Sequence, residues 1–600
     1  MVDTLLGKKI KTKVNLHIVN RKRPVINTMH ILSFIVSVVT IAAIIIYHGC
    51  YLRPSTISFI RGLVYFSLAF YIFKYFLLMF YSLHKLEYIQ KSWFECIIIA
   101  ILLIHLLLYG LFGWDVFNFS EYENAYILCI QLYFFIIMLI EFSKASTLLG
   151  KFNVSPPFLL MSSFFILIVL GTILLVLPRM TTHPISFTDA LFTATSASCV
   201  TGLTVLSTAH DFTFQGQVVI MILVQLGGMS ILSFATFFTT FLSRSFVGLR
   251  YQYMVRDMVS ANKLSDSFSL LRQIILFTII IEASGVLMFY MYWRTTGFFD
   301  GTSTTFFYSL FHAVSAFNNA GFALWDASFN DAQICNSFFP QTIIMILVFF
   351  GGIGFVTISE FFSPAVIRER KKYRWKKLST GTKIVLLTTF GIIVVGTLLF
   401  FALEYRHSLA AKNTLVDKIF ASMFQIISGR TAGFNIIDVN AISIPGMLLV
   451  MLIIFIGASP GSTGGGIKTT TFFVLIKSVM ATIKGKQHIE FDKKTIPFNL
   501  VDKAYSIVVL SVGIIFSSVF VLALLEPETN LINIMFESIS AFTTCGLSTN
   551  VQTAFSDPGK WVLIVDMYIG RIGTLTIAYA LGQRNKESRH TYPETYFMIG

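Results

Sequence analysis

IFASMFQIISGRTAGF, residues 419–434, is the stretch on which the reading of this chain turns. An apolar run ends at Ser428, small and polar residues follow, and then come Gly433 and an apolar residue. The same plan occurs three more times: DALFTATSASCVTGL at 189–203, SLFHAVSAFNNAGF at 309–322 and IMFESISAFTTCGL at 534–547. Gly202, Gly321, Gly433 and Gly546 stand 119, 112 and 113 residues apart. Four copies at a near-constant period form an internal repeat, and a repeat outranks any single motif in deciding architecture. One copy departs from the pattern. Ser196, Ser315 and Ser540 each precede their glycine by six residues and Ser428 by five, so the third copy is one residue shorter there or aligns differently.

Working outward, each copy lies between two apolar runs long enough to cross the hydrocarbon core, which takes about 20 residues. These runs cover roughly 157–178, 217–242, 268–293, 341–365, 381–403, 446–477, 503–525 and 560–582. Four earlier ones cover roughly 29–48, 57–82, 93–114 and 125–142. The segment inside each copy is too short to span, so it must be re-entrant, and irregular backbone at that depth must be buried in protein or line a wet cavity. Four such turns about one axis make a ring of backbone carbonyls, which replaces the hydration shell of a cation. The half-helices aim their partially negative C-terminal ends at it. Glycine suits a strand that turns its carbonyls to the axis, because it takes positive φ without a Cβ penalty. The expectation is an all-α membrane protein with four tandem span–pore helix–span repeats (155–260, 265–375, 380–490 and 500–600) around one central pore. About four extra transmembrane helices precede them in 1–150.

Composition agrees. The 600 residues are 55% hydrophobic and 12% charged, where a soluble domain carries about a quarter charged. That excludes a soluble enzyme and a disordered chain. Six cysteines without CxxC spacing exclude a disulfide scaffold. No His, Cys and carboxylate cluster has metal-site spacing, and no Ser-His-Asp or paired-carboxylate pattern has catalytic logic. The net charge of +15 sits between apolar runs and marks orientation, not nucleic-acid binding. Basic clusters lie at Lys8–Arg23, Arg368–Lys377, Lys484–Lys494 and Arg584–Arg589. Twelve crossings with the N-terminus inside put every cluster and both termini in the cytoplasm. The first run starts near Met29 behind a basic lead without a small-residue cleavage site, so no secretory signal is read there.

Glycine recurs midway along each closing run: QLGGM at 225–229, FFGGIG at 349–354, IGASPGSTGGGIK at 456–468 and YIGRIG at 568–573. The third is the outlier. Gly457, Pro460, Gly461, Gly464, Gly465 and Gly466 cannot sustain a helix, so that span reads as two half-helices joined by a loop at membrane depth. GSTGGGIKT there resembles a phosphate-binding loop, but Ile467 separates Gly466 from Lys468 and no strand precedes it. Arg571 lies mid-span and must face protein or water. It either borders the pore below the ring, as a loop anchor or an electrostatic barrier, or pairs with Asp566. Glu282 reads as a buried tie to a pore helix or an ion-path residue. His312 and Glu537 read as braces behind the ring.

At VTGL (200–203), NNAGF (318–322), RTAGF (430–434) and TTCGL (543–547) the sequence resembles the Trk/Ktr/HKT superfamily of potassium transporters, over roughly 155–600. The resemblance implies a potassium-binding filter of backbone carbonyls at Val200-Thr201-Gly202, Asn319-Ala320-Gly321, Thr431-Ala432-Gly433 and Thr544-Cys545-Gly546. It implies that the Gly457–Gly466 loop gates the pore with Arg571 beside it. Gly202, where a sodium-transporting plant branch has Ser, favours potassium. It further implies a cytoplasmic ring of nucleotide-binding regulatory subunits, a homodimer, and the bacterial inner membrane. Potassium is then the substrate and no cofactor is bound. The loop 368–377 and the IKGKQHIEFDKK stretch read as docking or lipid-headgroup sites, or as plain inside markers. Two transport alternatives remain: a sodium-selective or sodium-coupled member of the same fold, and the channel-like subunit of an ATP-driven potassium pump. Residues 1–150 lie outside the shared core.

Overall fold

Long apolar helices organise the chain, because a backbone in lipid must satisfy its own hydrogen bonds. The computed structural model describes residues 28–29, 31–81, 96, 156–229, 264–325, 337–372 and 378–581. Helices α1 (Ile31–Gly49) and α2 (Pro54–Phe80) form an N-terminal hairpin. Polar groups along a seam hold them together, since apolar surface drives no association in lipid. Thr40 Oγ1 meets Ser67 Oγ at 2.6 Å, and the Tyr71 hydroxyl donates to Ser33 O at 2.9 Å. The hairpin meets the first repeat where Arg179 N donates to Gly49 O at 3.0 Å and the Arg179 guanidinium lies over the Tyr51 ring. The expected runs at 93–114 and 125–142 fall outside the described residues.

Each repeat then places an opening helix, a short pore helix and a closing helix. The first is α3 (Pro156–Leu175), α4 (Phe187–Cys199) and α5 (Phe214–Met229). The second is α6 (Leu264–Thr296), α7 (Thr302–Phe317), α8 (Phe338–Ile353) and α9 (Phe355–Phe362), followed by the basic α10 (Pro364–Lys372). The third is α11 (Thr380–Glu404), α12 (Leu415–Gly429), α13 (Ile444–Phe455) and α14 (Thr469–Ile483). The fourth is α15 (Phe498–Leu525), α16 (Leu531–Thr543), α17 (Asp557–Ile572) and α18 (Thr574–Leu581).

The pore helices have 13, 16, 15 and 13 residues. At 1.5 Å per residue none reaches the roughly 30 Å of a hydrocarbon core. Three start on a side-chain cap: Ser186 accepts from Asp189 N, Thr414 and Asp417 form a capping box, and Asn530 accepts from Ile532 N. Each pore helix packs on its own opening and closing helices. It also packs on the closing helix of the repeat before: α7 on α5, α12 on α8, α16 on α13, and α4 on α17. The packing therefore runs round the four repeats in chain order and returns to its start. The ion pair of Lys560 Nζ with Asp189 Oδ1, at 2.7 Å, ties the fourth repeat to the first.

The closing helices differ from the sequence reading. Only the third was expected to break, and it does, between Phe455 and Thr469. The second also breaks, at Gly354, bending by 102°, and the fourth breaks at Gly573. The cause is local. Gly354 and Gly573 take φ of +92° and +91°, which ends a right-handed helix and which glycine adopts freely.

Following α14, β1 (Ile489–Phe491) and β2 (Lys494–Ile496) pair antiparallel, starting inside IKGKQHIEFDKK and ending just past it. Asp492 and Lys493 turn the hairpin at φ of 52° and 62°, the two-residue geometry that suits strand twist. Lys383 Nζ meets Asp492 Oδ2 at 2.6 Å, clipping the hairpin to the start of α11.

Candidate cation pathway

Every pore helix stops in the same way. Val200, Asn319, Thr431 and Thr544 take φ of 58°, 57°, 76° and 52°. For a non-glycine residue this left-handed conformation costs about 1–2 kcal/mol, and three of the four are β-branched. Two residues later, Gly202, Gly321, Gly433 and Gly546 take φ of 89°, 70°, 76° and 87°. Strain repeated at four corresponding positions is the mark of a functional backbone held by its surroundings.

The surroundings are the other three copies. A Cβ built on Gly321 would stand 2.7 Å from Ala432 O, and one on Gly433 2.6 Å from Cys545 O. On Gly202 it would overlap Ala320 O, and on Gly546 it would overlap Thr201 O. Each glycine therefore faces the carbonyl oxygen of the middle residue in the next segment, and the fourth faces the first. All twelve residues of the four triplets come together. The eight non-glycine members are buried.

Serine braces each turn from behind in two ways. Ser196 Oγ and Ser540 Oγ accept from Gly202 N and Gly546 N at 3.0 and 3.2 Å. Ser315 Oγ and Ser428 Oγ donate to Phe322 O and Phe434 O at 2.7 and 2.6 Å. The missing residue of the third copy is absorbed at the helix end, where Ala432 N and Gly433 N both reach Ser428 O.

The buried ionisable residues divide as follows. Glu282 accepts from Gln225 Nε2 and Asn318 Nδ2, both at 3.1 Å, tying α6 to α5 and the end of α7. Glu537 Oε1 accepts from Thr549 N at 2.7 Å and from the Ser548 and Thr549 hydroxyls, each at 2.9 Å. It thus holds the chain just past Gly546. His312 accepts from Leu324 N at Nε2 (3.2 Å), so its Nδ1 donates to Tyr308 O (2.8 Å), and it stacks on Trp325. Asp566 is met by Ser518 and Ser538 hydroxyls. Among the described residues it makes no ion pair with Arg571, so the pairing alternative is not the one the fold adopts.

The loop between α13 and α14 lies directly under this ring. A Cβ on Gly464 would overlap Thr431 Oγ1, and one on Gly465 would overlap Thr544 Oγ1. Its polar backbone is satisfied by neighbours, as burial requires. Ser459 N donates to Gly352 O at 3.0 Å, Thr463 N to Gly351 O at 3.2 Å, and Phe355 N to Gly461 O at 2.9 Å. Arg571 reaches in from α17 and donates to Thr463 O and, at 2.6 Å, to Gly227 O. The second and fourth repeats therefore hold the loop directly, and the first holds Arg571 through Gly227 O. Gly457 and Gly466 pack backbone to backbone at its neck, while Pro460 and Gly461 are exposed at its tip. Sequence reasoning missed two members. Thr463 Oγ1 donates to Gly351 O at 3.1 Å, and Lys468 Nζ braces the turn through Gly464 O at 2.7 Å. Lys468 was visible only as part of the phosphate-loop decoy, and nothing in the sequence marks Thr463.

On the other side of the ring a cavity of about 350 Å³ opens, with Gly202, Gly321, Gly433 and Gly546 in its wall. Its rim is cross-linked between repeats: Asn440 Nδ2 donates to Thr549 O at 3.3 Å and Gln552 Nε2 to Thr204 O at 3.1 Å.

Known proteins share this plan. The Ktr system potassium uptake protein B of Bacillus subtilis is 36% identical over 447 residues, 74% of this chain and 97% of that protein. Its namesake in Vibrio alginolyticus is 35% identical, covering 74% and 95%. The potassium/sodium uptake protein NtpJ of Enterococcus hirae is 32% identical, covering 75% and 98%. The crystal structure of the potassium transporter TrkH from Vibrio parahaemolyticus superposes with a TM-score of 0.58 at 17% identity, over 72% of this chain and 86% of that one, and shares the fold. The sequence profile of TrkH, described as a cation transport protein, matches residues 129–586. With that match over most of its length, this multi-pass membrane chain belongs to the TrkH family of cation transport proteins.

Proposed function

We propose that the chain carries potassium into the cell through the centre of its four repeats, with Thr201, Ala320, Ala432, Cys545 and the flanking filter residues presenting carbonyls to the ion. The closed circuit of glycine-to-carbonyl contacts carries this reading. A ring of carbonyls replaces the hydration shell of a dehydrated cation, and pore-helix C-termini add partial negative charge. An inside-negative potential of 100 mV supplies about 2.3 kcal/mol per charge, so inward flow requires no nucleotide on this chain.

The Gly457–Gly466 loop is the gate. It lies against Thr431 and Thr544, and Arg571 anchors it through backbone carbonyls. The basic segments and both termini face the cytoplasm of a bacterial inner membrane. There the chain meets a nucleotide-binding regulatory ring and anionic lipid headgroups, and it pairs as a homodimer. The name of the Enterococcus relative includes sodium, which supports testing sodium as a second substrate. The test is rubidium and sodium uptake in a bacterial strain stripped of its own potassium uptake systems. Potassium-competed rubidium entry is the expected result, and no entry of either ion would overturn the reading.

A further inference from the structure

The cavity above the filter glycines is lined by Thr, Ser, Asn and Gln side chains, and among the described residues it holds one charged group, Asp438. The charge does not come from a fourfold position. It belongs to the third repeat alone and caps the turn Val439–Ala441 that follows its filter. Asp438 is exposed. Its Oδ1 accepts from Asn440 N at 3.0 Å and Asn440 Nδ2 at 3.3 Å. Asn440 in turn donates to Thr549 O of the fourth repeat, fixing the turn over the ring. Among the described residues Oδ2 accepts no hydrogen bond, and Asp438 lines the cavity.

We propose that Asp438 is an outer loading group, which concentrates hydrated alkali cations above the filter before they shed water. The proposal rests on the cation-conducting reading of the ring. A cleft lined by one sign of charge raises the local concentration of the opposite ion. The group acts before dehydration, so it governs how often an ion arrives and leaves unchanged which ion is preferred. Asp438→Asn suits the test, because Asn caps a helical turn as well as Asp does and keeps the Oδ1 acceptor while removing the charge.

The experiment is rubidium uptake against external concentration, in cells lacking their own potassium uptake and expressing the full chain, at two ionic strengths set with choline chloride. At about 0.01 M the Debye length is about 30 Å, and at about 1 M it is about 3 Å. Asp438→Asn is expected to raise the half-saturating concentration about three- to tenfold at the lower ionic strength. At the higher ionic strength that rise should nearly vanish. Maximal rate and rubidium-over-sodium preference should be unchanged, and Asp438→Glu should behave as wild type. An unchanged half-saturation in Asp438→Asn, or a change that salt does not screen, overturns the proposal while leaving the conducting reading intact. Absence of uptake by the wild-type chain overturns both.

Discussion

Replacing Arg571 by Gln tests the proposed gate at the point where the structure is most specific. The guanidinium bridges two backbone carbonyls, Thr463 O on the loop and Gly227 O on the first repeat's closing helix. A hydrogen bond to a charged group contributes about 1.5–3 kcal/mol. Gln is shorter, loses the planar fork and keeps at best one neutral bond of about 1 kcal/mol. The net loss is about 3 kcal/mol, which shifts the equilibrium between docked and undocked loop by about two powers of ten. A loop undocked about 1% of the time would then be undocked about half of it. Rubidium flux into proteoliposomes at saturating ion should rise accordingly. Arg571→Lys separates two causes. It keeps the charge but cannot bridge both carbonyls, so an anchor predicts raised flux for Lys as well, and a purely electrostatic barrier predicts wild-type flux for Lys. Asp566→Asn should restore nothing, because Asp566 is held by Ser518 and Ser538. Wild-type flux in Arg571→Gln at unchanged thermal stability would refute the anchoring argument, and rescue by Asp566→Asn would refute the partner assignment.

Gly321→Ser and Gly433→Ser each push a Cβ to within 2.7 and 2.6 Å of the next segment's carbonyl oxygen at positive φ. Weaker rubidium uptake with raised sodium permeation is expected, and unchanged selectivity in both folded variants would count against the filter. Deleting residues 461–465 removes the contacts of Gly464 and Gly465 with Thr431 and Thr544 while sparing the ring. Higher flux with selectivity kept is expected, and lower flux in a normally inserted protein would make the segment structural. Gly354→Ala places a side chain at φ +92°, against Pro460 O. It should lower thermal stability by an amount equivalent to at least about 1 kcal/mol, read by the temperature at which the detergent-solubilised protein aggregates.

Much of the plan was legible because it is carried by local rules. Apolar run length marks the spans, and the recurrence of Gly202, Gly321, Gly433 and Gly546 marks the turns. The run of glycines around Pro460 marks the break in the third closing span. The breaks at Gly354 and Gly573 were not legible. A single glycine inside an apolar run is compatible with a straight helix, and its φ is chosen by what packs around it. The one-residue deficit of the third copy was visible, but not where it is absorbed. That depends on Ser428 O serving two backbone donors at once.

The sequence by itself determined the membrane class, the fourfold repeat and the positions at which backbone must turn. These follow from chain length against bilayer thickness and from glycine's freedom at positive φ, and neither needs knowledge of neighbours. Only the tertiary structure decided the partners. Arg571 was marked as a buried charge in search of one, and the fold gave it Thr463 and Gly227, 108 and 344 residues away, in place of the nearby Asp566. Thr463 and Asp438 carried no sequence signal, because their roles arise from position beneath and above a ring that exists only when four distant segments meet.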